Sequence, residues 1–85
     1  MNNIDKLKKK IIFRSEYRGL KEMDLLLSSF VKKYINDFNM TELKQLDYLL
    51  SIDDINLLKW YLKKEYKIKI PVNKVSNLLR KFKFR

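Results

Sequence analysis

Apolar side chains recur at three- and four-residue steps, the period of a helix lying on a core. They are most regular between Leu20 and Phe38, through Met23, Leu27, Phe30, Val31 and Tyr34. That spacing predicts a long amphipathic helix. Upstream, Ile4, Leu7 and Ile11 mark a shorter one, expected to stop near Gly19 because glycine readily takes the positive φ that ends helices. Downstream, Asn39 followed three residues later by Glu42 reads as a capping box, opening a third helix that carries Leu43, Leu46, Leu49 and Leu50. In Ser51-Ile52-Asp53-Asp54 either aspartate can cap a fourth helix, its charge suiting a helix amino terminus; Ile55, Leu58, Trp60, Tyr61 and Leu62 follow. Tyr66 to Ile70 alternates apolar and basic residues and could be extended. Pro71 and the candidate cap Asn73 then introduce Val75, Leu78, Leu79 and Phe82 at helical spacing, a fifth helix. Short connections between amphipathic helices imply an all-α fold, a compact five-helix bundle. No repeat or Pro/Gly/Ser-rich linker interrupts residues 1–85, so they are read as a single domain.

Composition removes several kinds of chemistry. The 85 residues allow one modest core. There is no cysteine and no histidine, which takes away the usual ligands of zinc and transition metals, the thiolate nucleophile and the proton carrier most used near neutrality. A single glycine cannot supply the glycine-rich phosphate cradle of a nucleotide site. The formal charge of +10 favours an anionic partner, whether nucleic acid, membrane surface or acidic protein patch. Basic residues concentrate in Lys6 to Lys10 and Arg80 to Arg85, while Ser15 to Ser51 is near balance, and solvated lysines explain the charge at least as well as a nucleic-acid patch does. No apolar run reaches signal-peptide or membrane-span length, so a soluble, cytoplasmic protein is expected. Trp60 and Tyr61 invite a flavin-stacking role, but an aromatic at helical spacing beside Leu58 and Leu62 reads as core. Lys81-Phe82-Lys83-Phe84-Arg85 has the basic-aromatic interleaving that holds single strands, although basic, solvated termini are commoner.

One dense polar cluster interrupts the apolar pattern: Arg18-Gly19-Leu20-Lys21-Glu22-Met23-Asp24. Its residues suit a helix joint, with Arg18 at a carboxyl end, Gly19 in the turn, and Glu22 and Asp24 in the next first turn. The same Arg-Gly-x-x-Glu-x-Asp pattern, opening a long apolar helix, resembles the signature of the small helical FAD assembly factors (SdhE-type). Two further landmarks follow in family order: Phe38-Asn39-Met40-Thr41-Glu42 at a helix start, and the acidic turn Asp53-Asp54 before a helix containing Trp60. The resemblance is best over residues 11–62. Two positions depart from it: Tyr17 stands where many members have a second arginine, and Ile55 where a proline is common.

The resemblance implies a non-enzymatic factor that binds the flavoprotein subunit of succinate dehydrogenase, and sometimes of fumarate reductase. It promotes a covalent bond between the flavin 8α-methyl group and a histidine of that subunit. With no histidine in this chain, the acceptor imidazole belongs to the partner. On this reading the protein acts by orientation and electrostatic preorganisation, holds no cofactor tightly, works on FAD held by the partner, and is a monomer in isolation. Arg18, Gly19, Glu22 and Asp24 are the expected contact surface. Arg18 offers a planar fork of donors, Gly19 permits close backbone approach, Glu22 can share a face with Arg18 at i+4, and Asp24 is a candidate for capping or pairing within the bundle. The alternatives are a basic helical nucleic-acid-binding module, which lacks a recognition-helix pattern, and a generic protein-interaction bundle.

Overall fold

A computed structural model describes residues 2–83. Five helices run in order: α1 (Asn3–Ser15), α2 (Lys21–Tyr34), α3 (Met40–Leu50), α4 (Asp54–Tyr61) and α5 (Lys74–Lys81). Most start where a short polar side chain satisfies an otherwise unpaired backbone donor. Asn2 accepts from the Asp5 amide, and Asp53 from the Asn56 amide. Asn39 and Asn73 each form a reciprocal capping box, with Glu42 and Ser76. Asp53 is thus the fourth helix's cap, which frees Asp54 for another task. The α2 start is the exception, because its cap residue Leu20 has no side chain able to accept.

The structure differs from the periodic reading at two helix ends, in the inward face of α4 and at residues 66–70. Helix α1 stops at Ser15, and the left-handed residue in the joint is Tyr17 (φ 59°), not Gly19, which has no positive φ. Helix α2 ends at Tyr34, yet Phe38 is still buried, because the turn after the helix folds it back under the same face. In α4 the inward positions are Leu57 and Trp60, whereas Ile55 and Leu62 are exposed. Residues 66–70 form no strand; Ile68 and Ile70 pack on the core from irregular chain.

The core gathers Ile11 from α1, Met23, Leu26, Leu27, Phe30 and Val31 from α2, the leucines of α3, Leu57 and Trp60 from α4, and Val75 and Leu79 from α5. Helix α1 packs on α2 and α3, and α3 on α5. Phe30 lies at the centre of an aromatic group, 4.9 Å from Tyr34 and 5.3 Å from Phe82 between ring centroids. Trp60 is core, with the Arg80 guanidinium 5.1 Å above its ring. The radius of gyration is 12.2 Å, close to the roughly 12 Å of a compact single domain this long.

Candidate partner-binding surface

The joint between α1 and α2 is built by one side chain. Arg18 is turned inward, with its guanidinium spread over three backbone carbonyls and one carboxylate. Its Nε donates to Asp54 Oδ1 at 2.7 Å, Nη1 to the carbonyls of Leu50 (2.7 Å) and Arg14 (3.2 Å), and Nη2 to that of Ile52 (2.9 Å). Arg14 and Leu50 belong to the last turns of α1 and α3, where carbonyls lack intrahelical donors and the helix dipole is negative. A planar fork can serve such a set at once; an ammonium cannot.

Asp54 completes the joint from the opposite side. Its second oxygen, Oδ2, accepts from the Leu20 amide at 3.0 Å, as the acidic residue of a capping box would. Here that acceptor comes from α4, 34 residues away. Both side chains are largely withdrawn from water, Arg18 11% and Asp54 13% exposed. The Cβ position of Gly19 lies 3.5 Å from Asp54 Oδ2, an ordinary contact, so a methyl group fits there. A second tie lies lower on the same helices, where Asp47 of α3 receives Lys10 at 3.1 Å and Arg14 at 3.2 Å.

The structure therefore separates the four motif residues. Arg18 is committed within the chain and its ion-pair partner is Asp54, so it shares no helix face with Glu22 at i+4: Arg18 precedes the first turn of α2 rather than lying on it. Gly19 and Glu22 are both exposed. Asp24 is half-buried in the first turn of α2, and among the described residues its side chain makes no ion pair. Asp54 was legible in the sequence as a possible cap and as part of the acidic turn before the Trp60 helix; its link to Arg18 spans 36 positions, and no local signal carries it.

Beside Glu22 the surface is concave and apolar. A groove of about 420 Å³ runs between α2 and α4, lined by Leu20, Glu22, Leu26, Leu58, Tyr61 and Leu62. A second hollow of about 310 Å³ adjoins it through Leu20, bounded by Gly19, Asp53, Asp54 and Ile55. Burial pushes the Tyr61 phenol pKa up, and its hydroxyl donates to the Phe82 carbonyl oxygen, tying α4 to the end of α5. Among the described residues no helix is long and apolar enough to cross a membrane. Phe84 and Arg85, part of the basic-aromatic carboxyl terminus, lie outside the described residues.

A family model described as "Flavinator of succinate dehydrogenase" matches residues 9–83, a span that takes in the Arg18–Asp54 clamp and all but the first turns of the bundle. The chain belongs to this family. Relatives named "Succinate dehydrogenase assembly factor 2, mitochondrial" agree with it. The Lodderomyces elongisporus protein is 35% identical over 82 residues, 92% of this chain and 50% of its own length. The Dictyostelium discoideum protein is 38% identical over 64 residues, 75% and 45% of the two chains. That of Scheffersomyces stipitis is 45% identical over 51 residues, 60% and 34%. The chain thus spans half or less of the length of these relatives. No solved structure matches it.

Proposed function

We propose that this protein binds the flavoprotein subunit of succinate dehydrogenase and promotes covalent attachment of FAD to it, as a non-catalytic assembly factor. The observation that carries the reading is the Arg18–Asp54 clamp within a family-matched chain. It locks the Gly19–Leu20 turn from behind and leaves Gly19 and Glu22 facing outward beside an apolar groove, the preorganised surface a helper needs. With no histidine or cysteine, the chain contributes geometry and charge. The flavin is held by the client, whose own side chain forms the bond, and the factor has no tightly bound cofactor of its own. Arg18 acts from the second row, Gly19 and Glu22 touch the client, and Asp24 adds negative charge to the α2 amino terminus. A monomer working in the cytoplasm belongs to the same proposal.

Glu22→Ala tests it. The side chain is exposed in the first turn of α2, so its loss should cost at most about 1 kcal/mol of folding stability through the helix dipole. Thermal melting close to wild type is expected, together with clear loss of flavoprotein binding and of covalent flavin, read as in-gel fluorescence of the denatured subunit. Normal flavinylation by Glu22→Ala would show that the motif is a helix joint alone.

A further inference from the structure

The groove beside Glu22 leads to a pole where positive charge is in excess. Three helix carboxyl ends meet there: Lys33 Nζ lies 5.9 Å from the Phe82 ring, the Tyr61 hydroxyl donates to the Phe82 carbonyl oxygen, and the Arg80 guanidinium covers Trp60. The contributing stretches, residues 32–37, 59–65 and 80–83, hold two, three and three Lys or Arg, eight of the chain's twenty, against two acidic residues, Asp37 and Glu65, the latter sharing a surface hollow with Lys59. The ion pairs found among the described residues all lie elsewhere, on Lys10, Arg14, Arg18 and Lys74. Helix dipoles account for basic residues in last turns. They do not account for Lys63, Lys64 and Lys83, which lie past the ends of α4 and α5. Like charges gathered in excess of their counter-charges destabilise the compact state, so a partner that neutralises them binds with a gain.

Resting on the function proposed above, we propose that the α2–α4 groove seats a segment of the client flavoprotein that is apolar along one side and acidic at the end lying on this pole. Leu20, Leu26, Leu58 and Leu62 offer the apolar floor. Glu22, Asp24 and Asp53 make the opposite end acidic, so the track is dipolar and fixes the direction in which the segment lies. Other polyanions fit less well. Phe82 packs against Phe30 at 5.3 Å and Tyr34 at 6.4 Å, and the Tyr61 hydroxyl is engaged; neither ring is offered to the bases of a single strand. Leu62 is the one large apolar side chain exposed on these three stretches among the described residues, too little for a helix that lies in a membrane interface.

The test uses the full chain and the purified flavoprotein subunit of succinate dehydrogenase, with affinity measured across a range of salt. The double variant Lys64→Glu with Lys83→Glu changes two exposed side chains outside the helices, so it should melt as wild type does. It should weaken client binding by about tenfold or more at low salt and flatten the salt dependence. Leu62→Ser should weaken binding at every salt concentration and leave the slope unchanged. Wild-type affinity in both variants would overturn the groove while leaving the proposed function intact; a wild-type chain that does not bind the subunit at all would overturn both. Mixed-sequence duplex DNA and vesicles of anionic phospholipid serve as competitors. If either binds the wild type as tightly as the client at physiological salt, and releases the charge-reversed variant, the pole belongs to that polyanion and the proposal fails.

Discussion

Asp54→Asn isolates the clamp with the smallest chemical change. The carboxylate accepts twice, from Arg18 Nε at 2.7 Å and from the Leu20 amide at 3.0 Å. An amide has one acceptor oxygen, so it can keep one of these bonds and must face the other donor with its NH2 group. Arg18 also loses its counter-charge while its side chain stays 11% exposed, although three carbonyls still hold the guanidinium. One lost hydrogen bond, charge-assisted if Arg18 is the loser, costs about 1–3 kcal/mol. Natural domains of 85 residues have only about 4–13 kcal/mol in total. At about 4–8 °C per kcal/mol, thermal unfolding followed by circular dichroism should shift down by roughly 5–20 °C. Asp54→Ala should cost more, since it strands both donors. Combining it with Arg18→Ala should be less damaging than the sum of the two, by about 1 kcal/mol or more, because the second change removes the charge that the first left unpaired. Asp54→Asn melting within a degree of wild type, or single changes that simply add, would refute the clamp and return Arg18 to the pool of partner contacts.

The remaining predictions concern backbone and charge elsewhere in the fold. Lys63 is C′ of a Schellman turn, with its amide on the Trp60 carbonyl, the Lys64 amide on the Lys59 carbonyl and a φ of 61°; Lys63→Gly should raise stability by about 0.5–1 kcal/mol, read from urea denaturation. Gly19→Ala should fold as well as wild type, because φ is not positive and the added methyl meets only an ordinary contact; a matching melting temperature by circular dichroism checks this. The Glu42 carboxyl is held below its usual pKa by Lys74 and by the Asn39 amide of its capping box. Because the folded-state value is depressed, its contribution is present above the unfolded carboxylate range and lost as pH falls through the folded value; Glu42→Gln should therefore flatten the acid limb of a stability–pH curve.

Local patterns determined much of this protein. Helical periodicity located five helices, and Asn39, Asn73 and the Asp53-Asp54 pair marked their starts, because a cap and its recipient amide lie three residues apart and must be neighbours whatever the rest of the chain does. Trp60 was recognisable as core for a similar reason: its apolar neighbours recur on the same turn. The Arg18 to Asp24 cluster was also visible as the one polar knot in an apolar pattern, but its division of labour was not. Arg18 reads as an exposed fork until α3 and α4 bring Leu50, Ile52 and Asp54 around it, and the left-handed turn falls on Tyr17 while Gly19 has no positive φ. The groove and the basic pole depend even more on assembly, since each joins side chains from helices far apart in sequence. Local hydrogen bonds are dictated by spacing along the chain. Which guanidinium is buried, and which lysines gather at one end of the bundle, is decided only when the helices pack.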